Sequence, residues 1–107
     1  ARIVLVDDQS SDGTGDVARG VGLANLEVLN GTALPPGWSG KLWALEQASA
    51  RVATPFTLLL DADIELAPGA LPALKRLMLD RDLALASVMA SLHMGNAWER
   101  LLLPPFI

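Results

Sequence analysis

The sequence predicts an α/β fold, a mainly parallel sheet with flanking helices. Short apolar runs alternate along the chain with segments whose apolar residues recur every three or four positions. No internal repeat or low-complexity tract interrupts that alternation. A chain of 107 residues, 51% of them hydrophobic and none of them cysteine, also suits one core built without disulfides. Strands alternating with helices close most simply as parallel strands joined by right-handed crossovers.

The elements follow in order. Residues 2–6 form an apolar run ended by acid, the pattern of a strand buried on both faces, and "SSDGTG" after it is a turn cluster. A helix is expected from about Thr14 to Arg19, weakened by Gly20 and Gly22. "LEVLN" reads as the second strand. The following "GTALPPGWSG" holds two prolines and three glycines and is a loop. From Ser39 the pattern turns helical, with Leu42, Leu45, Ala48 and Val52 as the apolar stripe. "PFTLLLDAD" is the third expected strand. Pro68 is expected in the first turn of the next helix, whose stripe is Leu71, Leu74, Leu77 and Met78. "LALASVMAS" reads as a fourth strand and "NAWERLLL" as a last apolar helix, stopped by Pro104 and Pro105. The chain opens on a strand and closes on an apolar tail, which gives the expectation of a piece of a longer protein, a single partial domain over 1–107.

Acids gather at the expected strand ends. Asp7 and Asp8 end the first strand, and Asp61 and Asp63 end the third. In parallel α/β sheets ligands collect beyond the carboxyl ends of the strands, so this topology delivers four acids to one rim. Like charges brought together lose hydration and raise each other's pKa unless something cationic sits among them. Mg²⁺ or Mn²⁺ prefers carboxylate oxygen and keeps positions open for phosphate oxygens. Taken singly, an Asp at a strand end reads better as a solvated residue capping the next turn, whereas two acid pairs on two successive strands favour the functional reading. The net charge of −4 speaks against a nucleic-acid partner, whose phosphates need a basic face. The chain shows no signal peptide and no apolar run long enough to cross a bilayer.

Two known designs place "VDD" after a first strand and an acid after a later one. The phosphoryl-accepting receiver domain would use Asp61 as its acceptor, but it needs a lysine after a later strand, and here Lys41 precedes Asp61. The second design fits the order of motifs. "VDDQSSDGT" (6–14), "GWSGKLWAL" (37–45) and "LLLDADIEL" (58–66) together resemble glycosyltransferase family 2 on the GT-A fold, the Rossmann-like nucleotide-diphospho-sugar transferase architecture. The stretch "LPPGWSGKLWAL" is most similar to the hopene-associated members. The resemblance covers nearly the whole chain and implies the donor-nucleotide-binding half of such an enzyme.

Position by position, the resemblance implies the following roles. Asp8 matches the residue that hydrogen-bonds the nucleotide base, and Asp12 belongs to the turn that shapes that pocket. Lys41 matches the basic position near the donor diphosphate. Asp61 and Asp63 match the D-x-D motif: Asp61 is directed to the ribose and the surroundings of the metal, and Asp63 to the metal itself, Mg²⁺ or Mn²⁺. The implied partners are a nucleotide-diphosphate sugar donor and an acceptor of lipid, polyprenoid or hopanoid type. The implied location is the cytoplasm, or the inner face of a membrane reached through other parts of the protein. The implied reaction is transfer of a hexose-like sugar. A competing reading keeps the fold and the nucleotide site without the chemistry.

The chain departs from the family pattern in three places. An earlier strand that forms one wall of the donor pocket is expected before Ala1. The general base that would deprotonate the acceptor is expected beyond residue 107, so this segment alone is expected to be inactive. Glu99 is the last carboxylate of the chain and matches no motif. "ALEQAS" stands where the family often has Ala-Leu-Asn and a glycine, placing Glu46 and Gln47 there. Among the remaining residues, Trp38 reads as part of a flap over the donor, Trp43 as core, Ser39 as a helix cap, Asp12 as a brace of its own turn and His93 as a surface residue.

Overall fold

A computed structural model describes residues 1–91 of the protein. Two compact units divide the chain, Ala1–Thr57 and Leu58–Ile107. The expected helix over 96–103, Glu99 within it, and His93 lie outside the described residues.

The first unit is α/β. Strand β1 (Ile3–Asp7) pairs in parallel with β2 (Leu26–Asn30), in a register running from Ile3 opposite Leu26 to Asp7 opposite Asn30. Helix α1 (Thr14–Gly20) connects them and packs against β2. Helix α2 (Gly40–Ser49) follows the long loop and packs against β1. All four lie where the residue pattern puts them, to within a residue or two. Because both strands stop at one level, the loops after Asp7 and after Asn30 leave from the same rim.

Burial corrects two expectations. The first strand was expected to be covered on both faces, yet Val4, Leu5 and Val6 are half-buried, because a two-stranded sheet makes each strand an edge. The α2 stripe is also displaced. Leu42 is exposed, and the half-buried positions are Trp43, Ala44, Gln47 and Ala48, with Leu45 beside them. Residues four apart share a helix face, so 43 with 47 and 44 with 48 form the side turned from solvent. No large apolar side chain is fully buried among the described residues.

At the amino ends of the strands one acid meets two bases. Glu27 accepts from Arg2 and, at 3.0 Å, from Arg51, while the Arg2 guanidinium also donates to the Arg51 carbonyl at 3.1 Å. This ties the start of β1, the start of β2 and the turn after α2. The two guanidinium side chains remain 54% and 55% exposed, so each pair is worth well under 1 kcal/mol on the usual scale, about 0.2–1. Glu27→Ala is therefore expected to cost roughly 1 kcal/mol in urea unfolding at low salt, with the difference shrinking as salt screens it.

In the second unit, helix α3 (Ala70–Asp80) forms as expected, but it starts differently. Gly69, with φ of 81°, is its N-cap, so Pro68 lies just before the helix rather than in its first turn. Pro72 stands third in the helix instead, where a missing N–H leaves no intrahelical bond unmade. Leu74, Leu77 and Met78 are half-buried, while Leu71 is exposed. The expected third and fourth strands do not form: residues 56–60 and 85–91 are irregular. Leu59 is 67% exposed. A strand exists through its ladder, and no strand is found among the described residues of this unit to bond with either segment.

Candidate functional site

The rim of the first unit is built around one aspartate whose carboxylate and carbonyl both bond within the protein. Asp7 closes β1, and its carboxylate accepts the Ser10 N–H at 3.0 Å. Hydrogen bonding from Ser10 first, with the Gly15 N–H and the Arg19 guanidinium nearby adding to it, holds its pKa below the usual carboxylate value. Its carbonyl is equally occupied, taking the Gln9 N–H at 2.8 Å and the Gly31 N–H at 2.7 Å. Gln9 turns the chain sharply with φ of 58°, a left-handed conformation that costs a non-glycine residue about 1–2 kcal/mol.

Two glycines make this packing possible. A Cβ on Gly15 would sit 2.4 Å from Asp7 Oδ2, and one on Gly31 would sit 3.1 Å from the Asp7 carbonyl and 3.2 Å from the Asp8 Cα. The motif reading missed both glycines and the bracing role of Asp7. The signal available was a glycine directly after each strand-end turn, where backbone approaches backbone closely.

Asp8 is the exposed member of the pair. One of its carboxylate oxygens lies against Gly31, and the other would be 3.5 Å from a Cβ on Gly40, the first residue of α2. Its carboxylate thus stands at the amino end of that helix, where the helix dipole favours negative charge. Lys41, the next residue of α2, is exposed as well. Ser39 occupies the N-cap position as expected, but its hydroxyl makes no capping bond. Asp12 braces its own turn by accepting the Thr14 N–H at 3.1 Å and the Thr14 hydroxyl. The bonds to Thr14 lower its pKa as well.

The sign of these two shifts fixes a pH dependence. Both folded carboxyls titrate below their unfolded value of about 3.9, so their stabilising contribution is complete above that pH and is lost as pH falls through the lowered folded pKa. Urea midpoints are expected to fall below about pH 4, and less steeply in Asp7→Asn.

Around Trp43 a hydrogen-bonded clasp holds the proline loop. Gln47 Oε1 accepts the Thr32 N–H at 2.8 Å and the Thr32 hydroxyl at 3.1 Å, Trp43 Nε1–H donates to the Thr32 carbonyl at 3.2 Å, and Gln47 Nε2–H donates to the Trp43 carbonyl at 3.2 Å. Trp43 is therefore a half-buried anchor with a bonded indole N–H rather than a core residue. Trp38 meets its ring edge-to-face, with centroids 5.2 Å apart.

In the second unit Asp61 and Asp63 are exposed and share one turn, closed by the Ile64 N–H on the Asp61 carbonyl at 3.1 Å. They sit on a turn after an irregular segment, not at the end of a strand. Within each unit, no three of the described His, Asp or Glu side chains gather to hold a metal ion. The donor set nevertheless suits a hard divalent cation of the kind that takes one or two carboxylates and completes its shell with water and phosphate oxygens. A shallow depression of about 280 Å³ lies between Arg2, Asn25 and Glu27, at the opposite end of the strands from Asp8, and its one carboxylate, Glu27, is already paired with Arg2 and Arg51. No helix among the described residues is long and apolar enough to cross a membrane.

No curated protein and no solved structure matches the chain. The family model described as Glycosyl transferase family 2 matches residues 1–106, spanning all three motifs and both units. The chain belongs to glycosyl transferase family 2, with a glycosyltransferase-type function.

Proposed function

We propose that this chain binds a nucleotide-diphosphate sugar at the rim of its first unit and serves a hexose transfer to a lipid, polyprenoid or hopanoid-type acceptor. The observation that carries the reading is the placement of Asp8, an exposed carboxylate at the carboxyl end of β1 that stands against Gly40, the first residue of α2 and the one before Lys41. Asp8 accepts an N–H of the base, and Asp12 keeps the intervening turn in shape. The Lys41 ammonium lies against the diphosphate and lowers the cost of charge developing there.

Asp63, with Asp61 beside it, would hold Mg²⁺ or Mn²⁺. When bound, such an ion supplies Lewis-acid neutralisation of the departing nucleoside diphosphate. In this reading Asp61 would also serve the ribose, as its position in the motif implies. The acceptor's proton goes to a base that we place outside this chain, which leaves the segment a donor-binding half. The family match favours this reading over the phosphoryl-accepting one. The cytoplasm, or the inner face of a membrane, is where such a donor and a lipid-linked acceptor meet.

Calorimetric titration with uridine and guanosine diphosphate sugars tests it. One base is expected to bind with Mn²⁺ about tenfold more tightly than without, and Asp8→Asn is expected to weaken that binding by a similar factor, about 1.4 kcal/mol. Absence of binding to every nucleotide sugar, with metal present, would remove the reading.

A further inference from the structure

We propose that the indole of Trp38 is the wall on which the donor's planar base stacks, and that Gln47 is the positioning residue that holds this wall beside Asp8. The inference rests on the nucleotide-donor reading above and adds to it the face that selects for a heterocycle.

A pyrimidine or purine base presents ring N–H donors in its plane and an apolar surface across it. Recognition needs an acceptor at the edge and a flat apolar partner on the face. Asp8 supplies the acceptor. In the first unit two aromatic rings are comparably exposed, Trp38 at 41% and Phe56 at 38%, and of these Trp38 lies two residues before the glycine that borders the Asp8 carboxylate. Trp43 is unsuited to the task because its ring N–H is committed to Thr32 and its body is half-buried.

The Trp38 ring has no hydrogen bond of its own among the described residues, so its orientation is set by the Trp43 edge, at an interplanar angle of 65°. Trp43 is in turn fixed by the Thr32 carbonyl, and Thr32 by the single Gln47 Oε1 that takes both of its donors. Gln47 thus acts on the wall through two intermediates without touching a ligand. The loop between the pinned ends is stiffened by Pro35 and Pro36 and by the Trp38 N–H on the Pro35 carbonyl at 3.3 Å. A short, stiff loop anchored at both ends presents one ring face, which lowers the ordering cost of binding.

The test uses UDP, GDP and inorganic pyrophosphate, each titrated with Mn²⁺, with intrinsic fluorescence and far-UV circular dichroism alongside. Trp38→Ala is expected to weaken binding of the preferred nucleotide by about tenfold while leaving pyrophosphate, which has no base, unchanged. Trp38→Phe keeps a ring and is expected to stay within about threefold of the parent. Gln47→Ala is expected to shift the tryptophan emission to the red and weaken nucleotide but not pyrophosphate binding. Gln47→Glu, which keeps the Oε1 acceptor but gives up the Nε2–H bond to the Trp43 carbonyl, is expected to restore both in part. Trp38→Ala binding nucleotide as the parent does, or losing pyrophosphate equally with unchanged dichroism, overturns the wall. Gln47→Glu failing to restore what Gln47→Ala loses overturns the positioning role. If the parent binds neither nucleotide nor pyrophosphate, the donor site itself falls and the wall falls with it.

Discussion

Replacement of Asp63 by alanine is expected to lower the rate of sugar transfer by about a thousandfold or more, equivalent to roughly 4 kcal/mol of transition-state stabilisation. Cleaving the donor's glycosidic bond leaves new negative charge on a diphosphate oxygen, and the residues that hold a counter-charge there act mainly in the transition state. Such a loss appears in kcat as well as in kcat/KM. Asp63 shares its exposed turn with Asp61, and in the proposed reading the pair would offer oxygen donors to a divalent ion and leave the rest of its shell to phosphate and water. The measurement is metal-dependent turnover by the complete enzyme that carries this segment, with Asp80→Ala as a control, since that residue is an equally exposed carboxylate at the far end of α3. Full metal-dependent turnover in Asp63→Ala would falsify the assignment. An equal loss in the Asp80 variant would show that the effect is one of general charge.

Gly15→Val is expected to produce the second large effect, and this one acts through structure. The first atom of any side chain at that position would fall 2.4 Å from Asp7 Oδ2 and 3.0 Å from Arg19 Nη1. Asp7 is too short to step aside without giving up Ser10 and the Gly15 N–H, the bonds that shape the turn carrying Asp8. Overpacking of this kind costs on the order of 1–3 kcal/mol, more than the gain of a few tenths that a better helix former than glycine returns here. For a domain of this size the thermal midpoint should fall by on the order of 10 °C. Nucleotide affinity should fall with it even where the protein stays folded, because the Asp8 carboxylate loses its support. An unchanged midpoint together with unchanged nucleotide affinity would mean that the carboxylate of Asp7 does not brace the turn. Gly20→Val separates the local clash from mere addition of a branched residue to the same helix, since a Cβ at Gly20 meets nothing within 4 Å.

The first unit was largely legible in the sequence. "RIVLVDD" and "LEVLN" are short apolar runs closed by polar residues, and the structure pairs them in the parallel order expected of a strand-helix-strand unit. The helices after Ser39 and Pro68 were also legible, because three- and four-residue spacing is a strong signal over ten or eleven residues. What could not be read was which side of α2 turns inward. Leu42 is more apolar than Gln47, yet Gln47 faces the protein because its amide has partners waiting in Thr32 and Trp43. Hydrophobicity ranks side chains by their cost of hydration and is silent about specific acceptors. The "LLL" run before Asp61 was misread for a related reason: its composition suits a strand, but a strand also requires a neighbour, which composition does not supply. At the candidate site the sequence pointed to Asp8, Asp12, Lys41, Asp61 and Asp63 through their motifs. It gave no sign that Asp7, the first acid of its pair, is wholly engaged in bracing the turn.

The Asp7 carbonyl oxygen receives amides from both directions, Gln9 on its own turn and Gly31 at the root of the proline loop. One atom therefore works as a common pivot. Any tilt of the loop as a ligand enters pulls on the peptide plane that carries Asp8, and any shift of that acid pulls back on the loop. The proposed wall and the carboxylate would therefore travel together, so that the gap between them, and with it the thickness of the molecule it admits, would be preserved through motion.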